Sequence, residues 1–241
     1  MSDPDPILDD SPAAVAARHR KTWTLLGGVV LAVAVLLLLY NFISRPPPLP
    51  GTGAVLSARE VSDVAMPLVA RLQTATIAGE TRFAGLAVTT AEGEMATTCH
   101  SLPSSGPLQV IFADGSSRAE SARLNRALDV CLLKVQTTGR HAAKVRAGDP
   151  ANGEKVYVVF MEDAKAPAKL IEARVENLIS DANGIAFKLD TKKPLATGAA
   201  VFDNQGRLAG IVTDPHSFGA ITVALSASRI AKARERQRGG S

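Results

Sequence analysis

Leu195-Ala-Thr-Gly-Ala-Ala-Val-Phe-Asp-Asn-Gln-Gly-Arg-Leu-Ala-Gly-Ile-Val212 is the stretch from which the rest of the chain can be placed. Its small residues, from Ala196 to Ala199, make a tight loop. A short apolar run follows (Ala200, Val201, Phe202), then the turn signal Asp203-Asn204-Gln205-Gly206, then a second run from Leu208 to Val212. Two β-forming runs around a glycine-containing connection read as a β-hairpin.

Working outward, the same pattern recurs. Short β-forming runs bounded by Gly, Pro, Ser or Asp lie at 68–74, 82–89, 95–98, 108–112, 118–124, 130–135, 155–160, 168–179, 184–189, 200–202, 208–213 and 220–224. Short strands at this spacing predict an all-β barrel or sandwich, with two halves dividing near 146–152. Two helices flank them. One spans 57–66, with Ser57 as N-cap and Glu60 three residues on. The other spans 226–237, with Ser226 as cap and basic residues in its last turn. Neither a Gly-rich phosphate loop nor a strand–helix alternation is present in the sequence.

The N-terminus has a different composition. Residues 1–21, rich in Asp, Pro, Ser and Ala and ending in Arg18-His19-Arg20-Lys21, predict a disordered cytoplasmic tail. Residues 22–44 hold an uncharged apolar run from Thr24 to Ile43, with Trp23 and Tyr40 near its ends. Twenty such residues make a helix about 30 Å long, the thickness of a bilayer core. A cleaved signal peptide has a shorter apolar core and a small-residue cleavage site; here Arg45 and three prolines follow instead. The positive residues before the run favour a cytoplasmic N-terminus. The expectation is a single-pass protein of the bacterial inner (cytoplasmic) membrane with its C-terminal domain in the periplasm. Residues 45–54 read as a Pro/Gly linker, and residues 55–238 as the folded domain.

The 241 residues carry a net charge of +4, with 46% hydrophobic and 4% aromatic residues. That length suffices for a sizeable core. The scattered basic residues lack aromatic partners, which argues against nucleic-acid binding. His141 and His216 stand alone, without metal-ligand spacing, so neither a metal nor a small-molecule cofactor is expected.

Three stretches then fall in a telling order. Met95-Ala-Thr-Thr-Cys-His100 resembles the strand end and His of trypsin-like serine proteases, the HtrA-like bacterial branch especially. Ala127-Leu-Asp-Val-Cys-Leu-Leu-Lys-Val135 resembles that family's Asp segment, placing the Asp at Asp129. The 195–212 stretch resembles its nucleophile segment, with Thr197 where the family has serine, Gly198 retained, and Ala199-Ala200 in place of Gly-Pro. Phe83-Ala-Gly85 and Gly148-Asp-Pro-Ala-Asn-Gly-Glu-Lys-Val156 are supporting matches. The resemblance covers nearly all of the domain. It implies two six-stranded antiparallel β-barrels with a C-terminal helix; no PDZ-like segment is expected after them, a departure from typical HtrA-like proteins.

It also implies a chemistry. In an active triad a hydroxyl attacks, His takes its proton, and Asp holds the imidazole. His100 and Asp129 fit those parts; the β-methyl of Thr197 restricts χ1 and crowds the attack path. The family's oxyanion hole uses the backbone N–H groups of the nucleophile and of a glycine two residues earlier, here Thr197 and Leu195. Two such changes predict a pseudoprotease that acts as a binding or scaffold subunit of a membrane or envelope complex, taking a protein or peptide partner in the cleft between the barrels. The competing expectation is an active serine-type endopeptidase with a His100-Asp129-Thr197 triad, or with a nucleophile relocated to Ser101, Ser104 or Ser105. A ligand sensor signalling through the single helix is a third, disfavoured by the short tail. A paired His100 and Asp129 would also bring Cys99 and Cys131 together, so a disulfide is expected. The other reading of the cysteines is two buried free thiols.

Overall fold

The structure is a computed structural model that describes Val33, Val35, Leu36 and residues 53–75, 80–102, 107–136, 139–163, 165–213 and 221–238. The chain divides into two compact units, 1–46 and 47–241. In the first, the three described residues are helical. The expected tail, the rest of the expected membrane helix and most of the linker lie outside the described residues. Among the described residues no helix is long and apolar enough to cross a membrane.

The second unit contains both expected barrels. The first closes in the order β1 (Val69–Ala75), β2 (Thr81–Ala91), β3 (Glu94–Thr98), β6 (Val130–Val135), β5 (Gly115–Asn125), β4 (Leu108–Phe112). The second closes as β10 (Ala200–Asp203), β11 (Leu208–Val212), β12 (Thr222–Ser226), β9 (Gly184–Leu189), β8 (Lys169–Asp181), β7 (Lys155–Phe160). Every pairing between these strands is antiparallel, and closure leaves no free sheet edge. The division falls between Val135 and Lys155, as the sequence suggests.

Burial explains which strands read cleanly. In β2, Ala87 faces the interior of the first barrel, packed with Leu72, Met95, Val110 and Leu133. Its neighbours Leu86 and Val88 face the other way, into the cluster that fills the second barrel and the space between the two. Residues 85–90 are therefore buried without a break. β6 follows the same rule, with Leu133 and Val135 inward and Val130 and Leu132 toward the second barrel. Buried on both faces, these strands lose the alternation expected of a half-exposed sheet.

Strand ends shift where turns decide them. β5 begins three residues before the expected Arg118, because Phe112 pairs with Gly115 across a two-residue turn. The last strand runs two residues past expectation: Ser226 pairs with Gly210. Ser226 thus ends a strand, while its hydroxyl still accepts the Ser228 N–H at 3.3 Å and donates to Asp149.

Two helices secure the barrels. In α1 (Ala58–Ala65) Ser57 and Glu60 form the expected capping box, and Val61, Val64 and Ala65 are buried. α2 (Ser228–Arg238) reaches both barrels: Arg229 donates to Asp181 at 2.8 Å and to the carbonyls of Gly184 and Ile185, and Arg234 to Glu94 at 2.5 Å and to the Thr90 carbonyl.

Candidate functional site

The cleft side of the first barrel is built where β3 ends. The β3–β6 ladder stops at the pair Thr98–Val130, and the chain turns through a short 3-10 segment, Cys99–Ser101. Asp129 stands just before β6 with φ +51, the left-handed region, the one non-glycine among the described residues to do so. That conformation costs about 1–2 kcal/mol for an L-residue, least for Asp and Asn.

What offsets the cost is the hydrogen bonding it permits. One carboxylate oxygen of Asp129 accepts from the backbone N–H groups of Cys99 (3.0 Å) and His100 (3.3 Å), and lies 2.8 Å from His100 Nδ1. The other accepts from the Thr213 hydroxyl at 2.6 Å. The Asp129 side chain is 15% exposed and that of His100 58%. With Nδ1–H donated to a carboxylate, the Nε2 of a neutral ring is left as an acceptor, the arrangement a general base needs.

The sequence alone does not point to Thr213. Its only signal was a hydroxyl residue ending the apolar run 208–212, and the role became visible once β11 was set beside Asp129.

The second barrel meets this corner through the Thr213–Asp129 bond. The loop before β10 is knitted to both barrels by its backbone. The Thr197 carbonyl accepts from Leu86 N–H across the inter-barrel seam at 3.0 Å, Gly198 N–H donates to the Val212 carbonyl at 2.7 Å, and Val212 N–H to Ala199 at 2.8 Å. Within the first barrel, the Thr97 hydroxyl holds the same peptide by donating to the Leu86 carbonyl at 2.6 Å. Gly198 is required here: φ is +84, and a Cβ would sit 2.0 Å from the Leu86 carbonyl oxygen.

The side chains of this loop tell a different story from its backbone. Among the described residues no hydrogen bond joins the Thr197 hydroxyl to His100. Leu195 is 6% exposed, packed into the main core, and its backbone is not among the positive-φ positions. Leu195 also lines a cavity of about 970 Å³ with Phe160, Met161, Ile171 and Pro194. Burying a leucine side chain is worth about 1.5–3 kcal/mol, so the loop cannot turn over at Leu195 without exposing it.

The remaining expected positions fall as follows. Cys99 and Cys131 form a disulfide, their Cα atoms 5.1 Å apart, which excludes the free-thiol reading. His141 is exposed. Ser101 ends the 3-10 segment; Ser104, Ser105 and His216 lie outside the described residues. Among the described residues no His, Cys, Asp and Glu side chains gather in a group able to hold a metal ion.

Comparison with known proteins agrees with this architecture. The family model described as "Trypsin-like peptidase domain" matches residues 85–211, more than half of the chain. No curated protein sequence matches. Among solved structures, the active form of the Rv3671c protease from M. tuberculosis superposes with a TM-score of 0.61 at 17% identity, covering 79% of this chain and 90% of that one. The serine endoprotease from Yersinia pestis gives 0.63 at 17% identity, covering 76% and 67%. The HtrA-type protease AlgW with tripeptide gives 0.58 at 19%, covering 70% and 60%. At such identities the structures establish the fold, and the family match establishes membership: this chain belongs to the trypsin-like peptidase domain family.

Proposed function

We propose that this is a membrane-anchored pseudoprotease, its barrels on the outer side of the cytoplasmic membrane, that binds a peptide segment of a partner protein in the cleft between the barrels without cutting it. The observation that carries the reading is the mismatch at Thr197. The pair that would activate a nucleophile is assembled, with Nδ1 of His100 2.8 Å from Asp129, while no described hydrogen bond joins the Thr197 hydroxyl to it and a threonine's β-methyl restricts χ1. The family's oxyanion hole needs a mobile glycine where this chain buries Leu195. Loss of one oxyanion donor alone costs on the order of 100–1000-fold in rate. The anchor rests on the uncharged run from Thr24 to Ile43, and the scaffold role on the match of a peptide-handling fold to a defective reaction centre.

One observation favours a second reading, an active endopeptidase using Thr197. The polar chain Thr213–Asp129–His100 is complete, and a threonine can serve as nucleophile if its hydroxyl rotates toward Nε2. A peptide library incubated with purified full-length protein separates the two. Pull-down of uncut peptides, with affinity unchanged in Thr197→Ala, supports the scaffold; cleaved peptides whose appearance requires both His100 and Thr197 overturn it.

A further inference from the structure

We propose that the Cys99–Cys131 disulfide is a redox latch on the His100–Asp129 pair: a dithiol reductant releases the pair while both barrels stay folded. The two half-cystines flank the pair itself, Cys99 immediately before His100 and Cys131 two residues after Asp129. His100 lies past the last pair of the β3–β6 ladder. Beyond that point the described holds on the Cys99–Ser101 segment are the disulfide, hydrogen bonds to Asp129 from Cys99 N–H, His100 N–H and His100 Nδ1, and an internal bond from Leu102 to Cys99. Asp129 accepts those bonds from a left-handed backbone conformation, which relaxes readily once its partners can move away. The barrel interior does not depend on this corner. Met95, Leu133 and Val135 pack with Leu72, Val110 and Phe112 deeper in the sheet, and the ladder from Glu94 to Thr98 has its own pairings.

The chemistry suits an external dithiol. Cys99 is part-exposed and Cys131 buried, so an incoming thiolate reaches Sγ of Cys99 first. The S–S bond breaks, Cys131 leaves as a thiolate and takes up a proton, and a mixed disulfide forms on Cys99. The second thiol of the reductant attacks its own sulfur in that mixed disulfide, releasing Cys99 as a thiol. Two electrons and two protons pass from the dithiol, which ends as a disulfide. The latch holds whether or not Thr197 attacks anything, so it stands apart from the scaffold reading.

The test follows the Nδ1–H proton by NMR in full-length protein in detergent micelles, labelled with 15N-histidine. The chain has four histidines, and the hydrogen-bonded resonance of His100 is assigned by its absence in His100→Gln. The expected result is a low-field Nδ1–H signal in the oxidised protein that disappears with excess dithiothreitol, returns on reoxidation, and is absent from Cys99→Ala/Cys131→Ala, with far-ultraviolet circular dichroism retained and a cooperative melting transition still present, at a lower midpoint. Persistence of the signal in the reduced, folded protein overturns the proposal. So does global unfolding on reduction, which makes the bond a staple of the barrel, and so does a disulfide that dithiothreitol does not open in the folded state.

Discussion

The two walls of the cleft differ in what has been kept. On the first barrel, the side chains are wired: Asp129 gathers hydrogen bonds from Cys99, His100 and Thr213, and a disulfide crosses the corner. On the second barrel, the loop before β10 is wired through its backbone, and Thr213 is the side chain that reaches across to Asp129. Thr197 and Gly198 are bonded to β2 and β11 through their peptide groups, while among the described residues no hydrogen bond joins the Thr197 hydroxyl to His100. The contrast teaches that the loop's shape is set by packing and backbone bonds, independently of the hydroxyl at Thr197. Gly198 is held by a steric demand of the inter-barrel seam.

The largest expected effect tests that steric demand. Gly198→Ala forces a Cβ into the Leu86 peptide at a position of positive φ, so it should cost about 3–5 kcal/mol, read as a lower urea midpoint. A loss under about 1 kcal/mol would mean the seam is soft and the comparison false. Next comes the cross-link of the first wall. Cys99→Ala/Cys131→Ala should lower stability by about 3–4 kcal/mol from loop-closure entropy over the 32-residue separation, leaving a folded protein by circular dichroism. Thr213→Val should follow at about 1–3 kcal/mol, since it strips a donor from a mostly buried carboxylate; coupling to His100→Ala in a double-mutant cycle would show that the two share Asp129.

The smallest effect concerns the clamp on the second barrel. Burial pushes the Asp181 carboxyl up, but the Arg229 guanidinium and the N–H groups of Asn183 and Gly184 outweigh it and hold the carboxyl below its ordinary value of 3.8. A carboxylate held low in the folded state adds stability above the unfolded value and loses it as pH falls from there through the folded value. Acid melts below about pH 4 should therefore show a loss in the wild type that is missing in Asp181→Asn. The carboxylate is about half exposed, so screening keeps the difference to a few tenths of a kcal/mol.

Much of this architecture is legible in the chain. The β-forming runs and their turn residues place the strands, and the order of the His100, Asp129 and Thr197 segments points to paired barrels before any fold is seen. The disulfide follows because residues that flank touching residues must approach each other. What resists reading is tertiary. Thr213 looks like any strand-end threonine until β11 is brought against Asp129, and the hydroxyl of Ser226 reads as a helix cap although its backbone still belongs to β12. Leu195 could be recognised as a departure from glycine, yet nothing local says that its side chain is swallowed by the core. The 970 Å³ cavity beside it is likewise assembled from β7, β8 and a distant loop.

The central claim is that the cleft binds without cutting. Labelling of the purified full-length protein with a fluorophosphonate probe, in parallel with His100→Ala and Thr197→Ala, tests it most directly. The account predicts no covalent adduct at Thr197 in any of the three, by intact mass and peptide mapping. An adduct on the Thr197 oxygen of the wild type, abolished by His100→Ala, would contradict it.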